Sequence, residues 1–586
     1  MKNNLIICKI SKLKKINKEN FYLINHSVLE QFSEYEIDHF NFKTLKPLGV
    51  ESEERIENYA ICENILESLF ENFYNEMNKT HKIKLNKRAW KIIAESWLKR
   101  FIYICFFRHK SLQKAIDNFN IKKIYLKKND KFLFYSKDCE GQYSLSADYL
   151  WNSNLYYKLL KYFDYNLDLE TEDNELINVN YPSYSERVLS TKKNLKVKIA
   201  KKIFKITRFF VKDNDGLIFN SYLPFLYEKY FEIKCNQLPQ FWSLNDYDFK
   251  NFNSEKRNAI SFKQGNDKNL ENFIREILPD SLPISFIESF EDIMQNSGHC
   301  DFPKNPKFIF ISTGFDHDEK LKFYIAKNVN ENKKYFVGQH GATYFTEHDA
   351  NFRTEVNTAD KFFSWGFDNK KEKIYPAFNF KTFKRKISNN NKGKFFIICR
   401  SLGYNSLPWD RYYEGLQGIK KISEIFSLLP AKIKEKSVIR LHHSFRLDRS
   451  KYFIKKFFHE SKDYLEFGNI DYKKLIKESR IICFNYDSTG FLENLTLNIP
   501  SILILANGLN HINEKFKIKY QNLISAKIIF LGEKDLIDHL NSIWDNVHEW
   551  WFSNEIQSQI NNFNYNFNIK GSKKEFENFI EQIKNN

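Results

Sequence analysis

A histidine framed by two glycines follows an apolar run: Tyr335-Phe336-Val337 leads straight into Gly338-Gln339-His340-Gly341. The run reads as a buried strand. Paired glycines after a strand give a tight turn in which backbone can approach a ligand closely. In an open α/β sheet such a turn lies at the carboxyl edge, where ligands bind. In a plain βα turn the same imidazole does no more than bond backbone. Asp360-Lys361-Phe362-Phe363-Ser364-Trp365-Gly366 follows as a second strand ending in glycine.

The other informative stretch is Ile481–Leu505, IICFNYDSTGFLENLTLNIPSILIL. A strand feeds the polar loop Asn485–Gly490, and a helix starts near Phe491. Asp487, Ser488 or Thr489 can cap that helix, whose first N–H groups favour a phosphate. Glu493, in the first turn, suits a ribose or sugar hydroxyl pair. Pro500 closes the link to the next strand. Arg400 and Arg440 end two further strands at the same edge, and two guanidinium groups on one rim suit a monophosphate or diphosphate. His442 and His443 follow on the Arg440 loop and can meet phosphate, sugar or backbone. A plain αβ unit with a capped helix is the alternative for the whole stretch.

The elements that position these groups alternate. Strands are expected at Leu5–Ile10, Lys122–Leu126, Gly216–Tyr222, Lys307–Ser312 and Tyr335–Val337. Helical spacing marks Glu53–Met77, the very apolar Lys87–Asn118, and Ala147–Phe163. Glu170–Asn180 is polar and acidic and reads as a loop. Residues 387–394, ISNNNKGK, form a polar linker, after which the alternation restarts. Strands are then expected at Phe395–Cys399, Ser437–Leu441, Ile481–Phe484 and Ser501–Leu505, with helices at Tyr413–Leu429, Asp471–Ser479 and Lys534–Trp551. The reading is an N-terminal α/β domain over 1–386, the linker 387–394, and a C-terminal α/β domain over 395–586, each with a mainly parallel sheet.

Composition narrows the class. At 586 residues the chain exceeds one core, and 42% hydrophobic residues exclude disorder. The net charge of +18 is compatible with nucleic acid, an anionic membrane surface or phosphorylated substrates. No nucleic-acid-binding motif accompanies the charge, so no nucleic acid is expected. Eight cysteines without a CxxC pair read as buried reduced thiols and point to the cytoplasm. No metal-ligand spacing is visible. The apolar core Leu5–Cys8 is too short for a signal peptide, and no apolar run reaches the length of a membrane span. Ser190–Lys212 combines helical apolar spacing with nine basic residues, the pattern of a helix lying on an anionic membrane face or of a core helix with a solvated side.

The Gly338–Gly341 turn, the later Asp360–Gly366 strand, the Arg440-Leu441 loop and Tyr486–Ser501 together resemble a family of bacterial surface-carbohydrate transferases of O-antigen or capsule assembly, similar to GT-B glycosyltransferases. Arg88-Ala89-Trp90, Trp97, Phe101, Asp148–Asn152 and Trp550–Ser553 fit the same family, so the resemblance covers nearly the whole chain. Phe345, Gly490 and His442-His443-Ser444 depart from its usual residues. The resemblance implies two Rossmann-like domains facing across a cleft, acceptor on the N-terminal side and nucleotide-sugar on the C-terminal side. It implies no cofactor and no metal, with positive groups and helix N-termini holding the leaving phosphate. The donor set is then Arg400, Arg440, His442, Ser488, Thr489 and Glu493. Gly338, Gln339 and Gly341 shape the cleft turn, Asp360 supports it, and His340 is the candidate base for an acceptor hydroxyl. Glu347 and Asp349 are the other candidate bases. The acceptor would be a lipid-linked or oligosaccharide precursor, met in the cytoplasm or on the inner membrane face. A polyol-phosphate transferase similar to teichoic-acid polymerases is the alternative, and a non-enzymatic nucleic-acid-binding protein the distant one.

Overall fold

The computed structural model describes residues 3–585 apart from 16–19, 182–209, 241, 243–247, 264, 298–301, 349–352, 404 and 447–450. Among the described residues sixteen strands build three sheets, and every pairing between them is parallel. The first sheet holds β1 (Asn3–Ile6), β2 (Phe21–Leu23), β3 (Lys43–Thr44), β4 (Ile121–Lys128) and β5 (Asp168–Asp173), in the order β3-β2-β1-β4-β5. The second holds β6 (Leu217–Phe219), β7 (Phe308–Ile311), β8 (Lys334–Gly338), β9 (Lys361–Ser364) and β10 (Ile374–Pro376), in the order β10-β9-β8-β7-β6. The third holds β11 (Lys394–Ile398), β12 (Ser437–Arg440), β13 (Leu465–Glu466), β14 (Ser479–Phe484), β15 (Ser501–Ile504) and β16 (Ile529–Phe530), in the order β13-β12-β11-β14-β15-β16.

Side-chain alternation along the central strands distributes the cores. In β7 and β8, Ile309, Ile311, Tyr335 and Val337 join the core of the first sheet, with Leu5, Ile124 and the helices Ser52–His81 and Ser96–Phe119. Phe308, Phe310 and Phe336 point the other way, into a core shared with Phe396, Ile482 and Leu503 of the third sheet. Both faces are covered, so these strands are continuous apolar runs. The linker 387–394 runs from β10 into β11. Ahead of it the chain builds two sheets rather than one, over a common core, and the passage between them falls in 174–216.

Two local readings change, and a third cannot be compared. Residues 168–173, within the stretch read as an acidic loop, form the edge strand β5. Its glutamates sit beside lysines: Glu170 pairs with Lys12 and Glu172 with Lys127, which explains acidic residues in a strand. The expected helix Lys534–Trp551 is two helices, Glu533–Ile543 and Val547–Trp551. The basic stretch Ser190–Lys212 lies mostly outside the described residues.

The chain's end returns to the second sheet. Helix Lys573–Lys584 buries Phe576, Phe579, Ile580 and Ile583, and the Phe579 ring lies 5.2 Å from Phe310 and 5.0 Å from Phe363. No helix among the described residues is long and apolar enough to cross a membrane.

Candidate functional site

The carboxyl ends of the second and third sheets face one another across a cleft of about 480 Å³. One wall carries His340–Tyr344 after β8, with Glu347, Arg353 and Lys381. The other carries Arg400 after β11, Asn485–Gly490 after β14 and Leu505–Gly508 after β15. In the third sheet β12 lies on one side of β11 and β14 on the other. The cleft therefore opens at the crevice where the strand order reverses, the expected ligand position of such a sheet. Two parallel α/β halves facing across a cleft are the GT-B layout.

The turn that presents His340 is held by its neighbour. The Gln339 amide donates from Nε2 to Gly341 O and accepts at Oε1 from Trp365 N–H, each at 2.8 Å. Gly338 is required by contact, since a Cβ there would stand 2.5 Å from Ser312 Oγ and 2.8 Å from the Phe380 ring. Gly341 admits Thr489 Oγ1 to 3.2 Å of its own missing Cβ. Gln339 and the two glycines thus shape the loop that His340 projects from.

His340 packs between aromatic rings. Tyr222 stacks at 6.2 Å and Phe315 tilts against it at 5.5 Å. Burial lowers its pKa to about 4, opposed by Asp316 and assisted by Arg353 and Lys381, so the ring is neutral at pH 7. Its Nδ1 lies 2.7 Å from the Tyr344 hydroxyl, which donates to Glu355 Oε1 at 2.7 Å. A hydroxyl has one proton. With that proton on the carboxylate, Tyr344 accepts from Nδ1–H, and Nε2 keeps its lone pair.

On the facing wall, Ser488 caps helix Thr489–Leu497, accepting from Phe491 N–H at 3.1 Å. Thr489 spends its hydroxyl on the N–H of Ala342, across the cleft. The helix start is left with neutral caps and its positive dipole end on the cleft. Arg400 donates through Nη1 to Glu414 at 2.9 Å and through its backbone N–H to Asn485 Oδ1 at 2.8 Å. Arg55 stands 3.9 Å from the same Glu414. Arg411, also on the cleft wall, makes no ion pair among the described residues. Four cations line the cleft, Arg353, Lys381, Arg400 and Arg411, against the three carboxylates of Glu347, Glu414 and Asp487, and Arg55 beside Glu414 adds a further positive charge.

The remaining sequence-derived candidates lie elsewhere. Arg440 sits one strand further out, 3.4 Å from Glu466 and donating to Ile470 O, away from the cleft. His442 lines a different cavity, between the first and third sheets. Glu493 is not on the cleft wall and stands 3.7 Å from Lys381, which is. Asp360 precedes β9 and accepts from Tyr335 N–H and from Arg88, so it braces the strand ends opposite the His340 turn. Glu347 is on the cleft wall, and Asp349 lies outside the described residues. Sequence reasoning missed Arg411, Lys381, Tyr344 and Glu355. Arg411 carried a signal, being an arginine at a helix start in a lysine-rich chain.

Comparison with known proteins supplies the class. The family model described as LIC12162 family transferase matches residues 5–580, and the chain belongs to that family. A search of curated proteins found no match. Among solved structures it is similar to a mutant of the Thermobaculum terrenum O-GlcNAc transferase, at 10% identity and TM-score 0.28, over 55% of this chain and 61% of that one. The chain thus spans less than two thirds of that relative. It is also similar to the trehalose-6-phosphate synthase OtsA, at 11% identity and TM-score 0.29, over 50% of this chain and 77% of that one. At these scores neither likeness carries weight for activity.

Proposed function

We propose that this transferase is a glycosyltransferase that moves a sugar from a nucleotide-sugar to an acceptor hydroxyl at the His340 turn. One observation carries the reading: an anion-binding wall and a neutral, hydrogen-bonded imidazole face each other across one cleft. The donor diphosphate sits at the start of helix Thr489–Leu497, between Arg400 and Arg411. His340 Nε2 takes the proton of the acceptor hydroxyl as its oxygen bonds to the anomeric carbon. The bond from that carbon to the phosphate oxygen breaks, and the nucleoside diphosphate leaves with the electron pair. The helix start and both guanidinium groups stabilise the charge that develops there. The same negative charge lies opposite His340 and raises its proton affinity from the low value of the empty cleft.

The family resemblance supports a surface-polysaccharide precursor as acceptor. An acceptor carried on lipid would bring the protein to a membrane face, and charge reversal within 190–212 tests that contact by vesicle retention. The donor is tested by thermal shift with UDP-, GDP-, dTDP- and CMP-sugars, each beside CDP-glycerol. Stabilisation by a nucleotide-sugar and its loss in Arg411→Ala are expected. A shift with CDP-glycerol alone would move the reading to polyol-phosphate transfer.

A further inference from the structure

We propose that the cavity between the first and third sheets is a second ligand site, and that it takes an uncharged saccharide. The cavity measures about 930 Å³. That is near the upper end of small-molecule sites, roughly 300–1,000 Å³. It occupies the crevice of the first sheet where the order reverses between β1 and β4. Ile7 and Ile10 after β1, and Ile24 and Val28 after β2, form its apolar part. Leu402 and Tyr412 close it from the third sheet.

The charges around it select against an anion. Helix Tyr149–Phe163 opens on the cavity, but its first amides are occupied: Asp148 Oδ1 accepts from Leu150 at 2.8 Å and Trp151 at 2.9 Å. A fixed carboxylate therefore stands where a phosphate would bind. Lys9 is neutralised by Glu36 at 2.7 Å and Lys127 by Glu172 at 3.0 Å. Arg108, 3% exposed, sends Nε to Asn152 at 2.9 Å, Nη2 to Ser146 O at 3.0 Å and Nη1 to Asn405 O. Each cation at the wall is thus already engaged, in contrast to the donor cleft.

What the lining offers instead is hydroxyl chemistry on aromatic platforms. Asp148 Oδ2 accepts from the Tyr181 hydroxyl at 3.0 Å and Glu172 Oε1 pairs with Lys127 at 3.0 Å, one partner each, so each oxygen keeps a second lone pair, beside the rings of Tyr149 and Tyr181. Carboxylates accept from hydroxyls, and tyrosine faces pack on the C–H faces of pyranose rings; the Tyr181 hydroxyl is already committed to Asp148. A neutral ligand rich in hydroxyls with apolar faces is a saccharide.

The two sites share a wall. The segment 400–412 places Arg400 and Arg411 on the donor cleft and Ser401, Asn405 and Tyr412 on the cavity. Tyr412 donates to Glu30 at 2.7 Å, which ties that wall to the first sheet. A saccharide in the cavity presses on the segment carrying both guanidinium groups, so donor affinity should respond. Only this coupling rests on the donor reading; occupancy of the cavity does not.

The test is binding of the full chain, without nucleotide, to an array of neutral oligosaccharides of hexose, N-acetylhexosamine and deoxyhexose printed beside acidic ones. The best glycan is then titrated by calorimetry against the wild type, Tyr149→Ala and Ser444→Trp, one change on each wall. Neutral glycans should be retained, and both variants should bind the best of them at least tenfold more weakly. Their thermal shift with nucleotide-sugar should stay that of the wild type, which also shows them folded. No retention of any glycan, or undiminished binding by both variants, overturns the proposal. So does loss of nucleotide binding in these two variants with retention in Arg411→Ala, which would make the cavity a nucleotide site. If no nucleotide-sugar shifts the wild type while glycan binding behaves as stated, the donor reading fails and this one stands.

Discussion

The backbone N–H of Ala342 donates to the Thr489 hydroxyl at 3.0 Å, so the turn bearing His340 is tied to the helix start that faces it. Loss of one such hydrogen bond costs about 0.5–1.5 kcal/mol. Thr489→Val keeps the shape and removes the acceptor. We expect kcat/KM to fall roughly threefold to tenfold by that amount, and Thr489→Ser to restore it. Equal kinetics for the valine and serine variants would show that the tie is idle.

Tyr344 and Glu355 hold the His340 ring through its Nδ1. Tyr344→Phe deprives Nδ1 of its partner and frees the ring to turn or to change tautomer. A general base contributes about 10²–10⁴ in rate, so kcat should drop by a sizeable part of that while donor KM holds. His340→Ala should abolish transfer with donor affinity kept. Transfer at the wild-type rate by His340→Ala would place the base elsewhere.

Stability should depend on pH through buried histidines. Burial lowers His26, His81, His109, His340 and His539 to about 4 each. The unfolded chain protonates its histidines near 6.5. Between about 6.5 and 4 these five groups bind more protons in the unfolded state, and their contribution to stability falls as the pH drops through that window, partly offset by the buried carboxyls of Glu232, Asp318 and Asp410, raised to about 8, 6 and 6, which act the opposite way. Urea midpoints measured from pH 7.5 to 4.5 should show this decline. His539, whose buried Nε2 has no hydrogen-bond partner, offers the check: His539→Phe should flatten the slope and raise stability at pH 5.

Two arginines separate the donor site from its surroundings. Arg411→Ala should weaken donor binding about 10- to 100-fold, the effect of a lost charge-assisted hydrogen bond of about 1.5–3 kcal/mol. Arg440→Ala should leave donor affinity within about twofold, because its guanidinium serves Glu466 and Ile470 O. Calorimetric titration of both variants with the same nucleotide-sugar decides between them, and the reverse pattern would return Arg440 to the site.

The central strands were legible because a parallel strand covered on both faces must be apolar throughout, as Phe308–Ile311 and Ile481–Phe484 are. β5 was not, since an edge strand answered by lysines is as acidic as a loop. At the site, the glycines around His340 and the hydroxyls before Phe491 betrayed themselves by local turn chemistry. Arg400 and Arg440 looked equivalent because both end strands. Only the strand order, β12 outside β11, puts one on the cleft and the other beyond it. Tyr344 and Glu355 meet through the return of a loop, and the second cavity draws on residues from Ile7 to Ser444; neither leaves a mark in local spacing.

The helix Lys573–Lys584 belongs to the core of a sheet whose last strand is Ile374–Pro376. During synthesis the ribosome must translate the whole third sheet before Phe579 can cover Phe310 and Phe363. The nascent protein therefore carries a half-closed aromatic face over roughly the last third of its elongation, a standing invitation to chaperones and to aggregation. A premature stop just beyond Lys570 would damage a cleft whose first residue, His340, lies 230 codons upstream.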